Sequence, residues 1–190
     1  MAMTIKTFLV GIIALLFAGN IMIQAQSLPQ EKKILIVYFT RSGNTREMAQ
    51  QIKDATGGDI FEVQPLNPYP PDYDDVVDQA KSEISAHVKP PLKSKVENIA
   101  SYDVIFVGSP NWWDTIAPPV ATFLSNYDLS GKTIIPFITH QGSRMGRSVS
   151  DIKKLCPHST VLTGLPIRGD SVKSSRDTVV KWLREIEMVK

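Results

Sequence analysis

Cysteine is nearly missing. Cys156 is the only one in 190 residues, which excludes a disulfide framework and a thiol pair for redox exchange. It sits in KKLCPHS, at a predicted helix end before Pro157, and reads as buried apolar filler before it reads as a nucleophile. Histidine is scarce too, and His87, His140 and His158 lie far apart in sequence with no acidic or cysteine partner at metal-ligand spacing, so no metal site is expected. There is no GxxxxGK[ST] and no GxGxxG, which removes a nucleotide triphosphatase loop and the dinucleotide fingerprint. No Ser-His-Asp set and no paired carboxylates are legible, so acid–base or nucleophilic catalysis has no visible carrier. Charge of one sign is lacking as well: 21 Lys plus Arg stand against 19 Asp plus Glu without a basic cluster. Nucleic acid is therefore not an expected partner, and electrostatic steering is weak.

Long apolar runs are absent except at the start. Phe8 to Ala18, FLVGIIALLFA, follows the lone charge Lys6 and has the length of a signal peptide's hydrophobic region rather than of a membrane span. Gly19 to Ala25 supplies a less apolar tail ending in a small residue. Residues 1–25 are thus expected to be a cleaved signal peptide, leaving an exported, periplasmic domain over 26–190 with no stable membrane span. The competing reading is an uncleaved anchor, since apolar character resumes at Ile21 to Ile23. A lipoprotein anchor is disfavoured for want of a cysteine. Loss of this segment removes only Lys6 from the charge balance. A chain of this size makes one domain burying roughly 70% of its unfolded surface.

What is present starts at KILIVYFTRSGNT, Lys33 to Thr45. A continuous apolar run fits a strand buried on both faces. It breaks without a linker into a loop of hydroxyls, one Gly, one Asn and one Arg, and the following EMAQQIKDAT has helical apolar spacing at Met48, Ala49 and Ile52. A loop between a strand's carboxyl end and a helix's amino end faces unpartnered backbone N–H groups and the positive end of the helix dipole, a good setting for a phosphate. Thr40, Ser42 and Thr45 offer hydroxyl donors and Gly43 lets the backbone curl toward an anion. The plainer alternative is an ordinary turn in which Ser42 or Asn44 caps the helix.

Downstream, Asp59 to Gln64 alternates as an edge strand, four prolines in PLNPYPP lead into a helix from about Tyr73 to His87, and YDVIFVGS, Tyr102 to Ser109, is a second buried strand. Ile116 to Leu124 reads as a helix with Pro118 and Pro119 in its first turn. Lys132 to Thr139 is a third buried strand, Arg144 to Leu155 a short helix, Thr160 to Ile167 a weak strand and Ser171 to Val189 the terminal helix. Alternating strands and helices imply an α/β fold with a parallel sheet covered on both faces. The expectation is a doubly wound three-layer sandwich with a five-stranded sheet of order 2-1-3-4-5, whose ligands lie at the carboxyl ends of strands 1 and 3.

Two more loops carry unusual residues at those ends. Ser109, Pro110, Asn111, Trp112 and Trp113 belong to GSPNWWDT, where adjacent tryptophans are hard to bury together. One indole is expected to stack on a planar ring and the other to cover the following helix; the alternative packs the pair under the proline-rich segment. Asn111 tolerates positive φ. Thr139, His140, Gln141, Gly142 and Ser143 form THQGS at the next strand end, with small polar groups and backbone donors. His140 is expected to be a hydrogen-bonding wall rather than a proton donor.

Taken together, these segments resemble the flavodoxin-like family: the loop pattern hydroxyl, any residue, Ser/Thr, Gly, Asn, Thr is met position by position from Thr40 to Thr45, joined by GSPNWW, a proline pair in the next helix and a TH-G-S loop. The resemblance spans Lys33 to Val189. It implies non-covalent FMN, with the phosphate on Thr40, Ser42, Gly43, Asn44 and Thr45, the ring between the Pro110 to Trp113 and Thr139 to Ser143 loops with Ser109 beside them, and Arg41 exposed or closing over the phosphate; the polar-tipped aromatic chemistry of Tyr69 and Tyr73, apart from the resemblance, suits them to the border of the site. Asn111 stands where such proteins use a peptide that flips to bond the flavin N5. The near-neutral charge departs from the acidic balance of many cytoplasmic relatives. The resemblance implies a low-potential electron carrier serving redox partner proteins. The alternatives are an FMN-dependent NAD(P)H oxidoreductase of the quinone or flavin reductase type, and a non-redox ligand-binding domain on the same fold.

Overall fold

In a computed structural model, which describes residues 32–190, the apolar run after Lys33 forms strand β1, Ile34–Tyr38, and its side chains divide by parity. Leu35 and Val37 enter one buried cluster while Ile36 and Tyr38 enter the other, because successive strand side chains point to opposite faces. Helix α1 follows at Asn44–Thr56, then β2 at Asp59–Glu62, α2 at Tyr73–Ser85 and β3 at Val104–Trp112. The rest runs through β4 at Thr115–Ile116, α3 at Pro118–Ser125, β5 at Thr133–His140, α4 at Ser148–Leu155, β6 at Thr160–Val161, β7 at Leu165–Arg168, a 3-10 turn at Gly169–Ser174 and α5 at Arg176–Glu185. The segment predicted as a signal peptide lies outside the described residues. Among the described residues no helix is long and apolar enough to cross a membrane.

The two clusters make three layers. Met48, Ile52, Val179 and Leu183 of α1 and α5 cover one face, on Ile36, Phe106 and Ile135. Val120, Phe123 and Ile152 of α3 and α4 cover the other, on Val37, Ile105 and Ile134. At roughly 1.5–3 kcal/mol for each fully buried large apolar side chain, these two faces are the main favourable term holding the sheet.

The sheet has seven strands rather than the predicted five, with a main path β2-β1-β3-β5-β6, β4 on β3 and β7 on β5. Both additions have physical reasons. The predicted GSPNWWDT loop continues β3 to Trp112 and turns back, pairing Asn111 with Ile116 and Trp112 with Thr115. The predicted last strand is broken: β6 pairs with Thr133 and Ile134, β7 with Phe137 to His140, and the gap faces Pro136. Leu162 donates its N–H to the Ile134 carbonyl, and the return bond of a parallel ladder would come from residue 136, which as proline has no N–H. With the broken strand counted once and the hairpin strand set aside, the predicted order stands.

Helix ends also differ. The predicted helix from Ser171 is a 3-10 turn to Ser174 and α5 only from Arg176. The predicted helix from Arg144 starts at Ser148 after a turn carrying Gly146 at φ 49.

Candidate functional site

The carboxyl edge of the parallel strands gathers the three predicted loops. At the first, Gly43 sits at φ +90 just before α1, a left-handed conformation costly to other residues. Its N–H donates to Thr40 Oγ1 at 3.0 Å, and the first helical bond runs from the Glu47 N–H to the Gly43 carbonyl. No side chain caps the helix, so the amides of Asn44, Thr45 and Arg46 point out of it without an intrahelical acceptor. The alternative in which Ser42 or Asn44 caps α1 is not what forms.

The Thr45 hydroxyl, but not its backbone amide, departs from its predicted role. The residue is 1% exposed and its hydroxyl shares a 2.8 Å hydrogen bond with Thr139 Oγ1, tying α1 to the end of β5 instead of facing a ligand. Ser109 is also buried, accepting the Ala117 N–H at Oγ and donating to the Pro110 carbonyl. Arg41 is exposed, donates to the Pro71 carbonyl at 3.0 Å and lies 5.5 Å from the Tyr73 ring centre. It joins the loop to the proline-rich segment.

At the second loop, positive φ falls not on Asn111, which is in the strand, but on Trp113 (49) and Asp114 (64), the two central residues of the hairpin turn. Two successive positive φ values are the pattern of a tight hairpin connection. Asn111 Nδ2 donates to the Arg144 carbonyl at 3.0 Å, while its Oδ1 is buried with no protein partner. The indoles separate. Trp112 packs edge-on against Phe39 (5.4 Å between centres) and Tyr69 (4.9 Å). Trp113, 46% exposed, donates from Nε1 to the Val77 carbonyl and lies under the Lys81 ammonium. It therefore covers α2, not the helix that follows it. The Tyr69 ring stays against Trp112 while its hydroxyl donates to Glu83, and burial first, then that carboxylate, raise its pKa.

At the third, the Gly142 N–H donates to His140 Nδ1 at 3.0 Å, which places the neutral ring's proton on Nε2. Burial first, then Arg144 and Arg168, hold the His140 pKa below its ordinary value, so the ring is neutral near pH 7.

These segments enclose a cavity of about 390 Å³ lined by Arg41, Ser42, Asn44, Pro110, Asn111, Trp112 and Thr139 through Ser143, together with Tyr73 and Gly169. Thr40, Gly43, Thr45, Ser109 and Trp113 are not in its wall. A second cavity of about 400 Å³ adjoins it through Arg41, Tyr73, Asn111, Trp112 and Ser143 and adds Val76, Val77, Ala80, Trp113 and Asp114. Gly169 was not singled out in the sequence. A side chain there would collide with the amide groups of Asn44 (2.6 Å) and Gln141 (2.9 Å), and the available signal was a glycine at the carboxyl end of the last parallel strand.

A family profile described as Flavodoxin matches residues 33–186. Among solved structures, a candidate flavoprotein from Bacteroides eggerthii is 33% identical, with TM-score 0.67, over 78% of this chain and 98% of that one. One from Bacteroides uniformis is 30% identical, with TM-score 0.73, over 82% and 99%. A flavoprotein from Lactobacillus acidophilus, solved in complex with FMN, is 27% identical, with TM-score 0.62, over 77% and 99%. No curated protein matches the chain.

Proposed function

The chain belongs to the flavodoxin family, and on that premise we propose that it is an FMN protein that carries single electrons between redox proteins. The observation that supports this most is the start of α1, where three amides stand uncapped behind a left-handed glycine at the carboxyl end of β1. That donor set suits a phosphate dianion. The fit extends to the ring: Trp112, Pro110 and Tyr73 give flat apolar wall, and the loop from Thr139 to Ser143 gives hydroxyl, amide and backbone groups for the polar edge.

In this reading Ser42 and the amides of Asn44 to Arg46 hold the phosphate. Gly43 sets their direction, and the Thr45–Thr139 bond fixes α1 against β5 so that the phosphate end and the ring end keep their separation. His140, neutral with Nδ1 engaged, presents an Nε2–H donor. The bound cofactor supplies one-electron redox chemistry. The protein's part is to bind, to exclude water and to set hydrogen bonds. No acid, base or nucleophile is required of the side chains.

The adjoining cavity favours a second reading, an FMN-dependent NAD(P)H oxidoreductase acting on a quinone or flavin, because Val76, Val77, Ala80 and Trp113 give a small acceptor an apolar stretch of wall beside the cofactor. Stopped-flow mixing of the loaded protein with NADPH separates the two. An electron carrier stays oxidised on the millisecond-to-second scale; rapid bleaching overturns the carrier assignment in favour of the reductase. The Phe8 to Ala18 run supports export to the periplasm, and amino-terminal sequencing of the protein recovered from that compartment tests it.

A further inference from the structure

Beside the cofactor cavity lies a third and larger cleft, about 560 Å³, sharing His140 and Gly142 with it. Its wall continues through Arg144, Arg168, Ser174 and Thr178, and it contains no acidic residue. Arg168 is partly neutralised by Asp170 at 2.9 Å. Arg144 has no carboxylate within salt-bridge distance among the described residues, and its backbone is held at φ 56 while its carbonyl takes the Asn111 amide.

We propose that this cleft binds the phosphate-ester end of a nucleotide-type ligand, with Arg144 and Arg168 as its guanidinium partners and His140 as the wall between it and the cofactor. Three features carry this. The polar groups that line the cleft are donors or hydroxyls, so an anion is the complementary charge. The volume exceeds what an inorganic anion fills, leaving space for a nucleoside. The shared wall puts the ligand next to the redox centre, where a reductant or acceptor has to come. Burial first, and then Arg144 and Arg168, hold the His140 pKa below its ordinary value, with Asp170 acting the other way. Two surface arginines on a convex loop would not leave such a cleft. The cleft depends on the FMN reading for what its ligand does there, not for its ability to bind.

The test follows the His140 ring signals by NMR in the FMN-loaded full chain during titration with adenosine 2′,5′-bisphosphate, a redox-inert probe. The expected result is a saturable shift and a raised His140 pKa, because the bound anion cancels the repulsion from the two guanidinium groups. In Arg144→Gln/Arg168→Gln the probe should bind at least tenfold more weakly with FMN affinity unchanged. No His140 shift, or equal binding by the double variant, overturns the site. Equal affinity for inorganic phosphate overturns its nucleotide specificity, and a response to an acidic peptide but not to the bisphosphate assigns the arginines to a protein partner and also overturns it. If the chain does not hold FMN, the same titration on the FMN-free protein still reads the cleft, so failure of the cofactor reading is separable from failure of this one.

Discussion

Thr45 and Thr139, 94 residues apart, meet through a 2.8 Å hydroxyl–hydroxyl hydrogen bond with both side chains buried. It joins the first turn of α1 to the end of β5, and so couples the loop assigned to the phosphate with the loop assigned to the ring. Removing one partner leaves the other hydroxyl buried and unsatisfied, at a cost of about 1–3 kcal/mol. Thr45→Val and Thr139→Val should each lower the denaturant midpoint accordingly, and the double variant should cost less than their sum. Additive losses would mean that the bond contributes nothing.

Gly43 has open space where a Cβ would stand, but its φ of +90 is unfavourable for any side chain. Gly43→Ala is expected to cost about 1–2 kcal/mol and to weaken FMN by redirecting the amides behind it. Gly43→Asn should cost less, since asparagine visits the left-handed region. Thermal melts and FMN titration of both variants read the difference.

Glu62 lies between Arg46, which binds it at 2.7 and 3.0 Å, and the Tyr38 hydroxyl at 2.8 Å. Burial pushes its carboxyl pKa up, but the bonds from Arg46 and Tyr38 outweigh that and hold it below the ordinary glutamate value of 4.5. A depressed folded-state pKa means stability that is present above that ordinary value and lost as pH falls through the lowered one. Arg46→Leu should flatten the acid limb of a stability–pH curve in that window and leave the neutral region little changed in slope.

Cys156 is buried and its thiol is pushed up to about 11 by burial. Native protein at pH 8 should resist alkylation by iodoacetamide, and labelling should appear only with denaturant. Fast labelling of folded protein would show the α4 end opening.

How far the sequence carried this account depends on whether a signal was local. Strands β1, β3 and β5 and helix α1 were legible because apolar runs and 3.6-residue spacing are written in contiguous residues, and the loop from Thr40 to Thr45 because its residue types are unusual in order. The hairpin after Trp112 was not, since Trp and Asp are poor sequence signals for two successive positive φ values, and asparagine drew the expectation to Asn111. The break opposite Pro136 follows from a partner strand that no local pattern identifies. Thr45 and Ser109 invite a ligand-facing reading because hydroxyls advertise hydrogen bonding without naming the partner. Their partners, Thr139 and Ala117, are distant or across a turn. The separation of the indoles follows from α2 and Tyr69 lying on either side, a tertiary fact.

The central claim is that the amides and Ser42 at the start of α1 receive the phosphate of FMN. Its most direct test is the comparison of FMN with riboflavin, which lacks that phosphate, by fluorescence titration of the cofactor-free protein and of Ser42→Ala. The account predicts that FMN binds far more tightly than riboflavin, and that Ser42→Ala weakens FMN by about 1–3 kcal/mol while leaving riboflavin unchanged. Equal affinity for the two flavins, or a Ser42→Ala loss that falls on both alike, would contradict it.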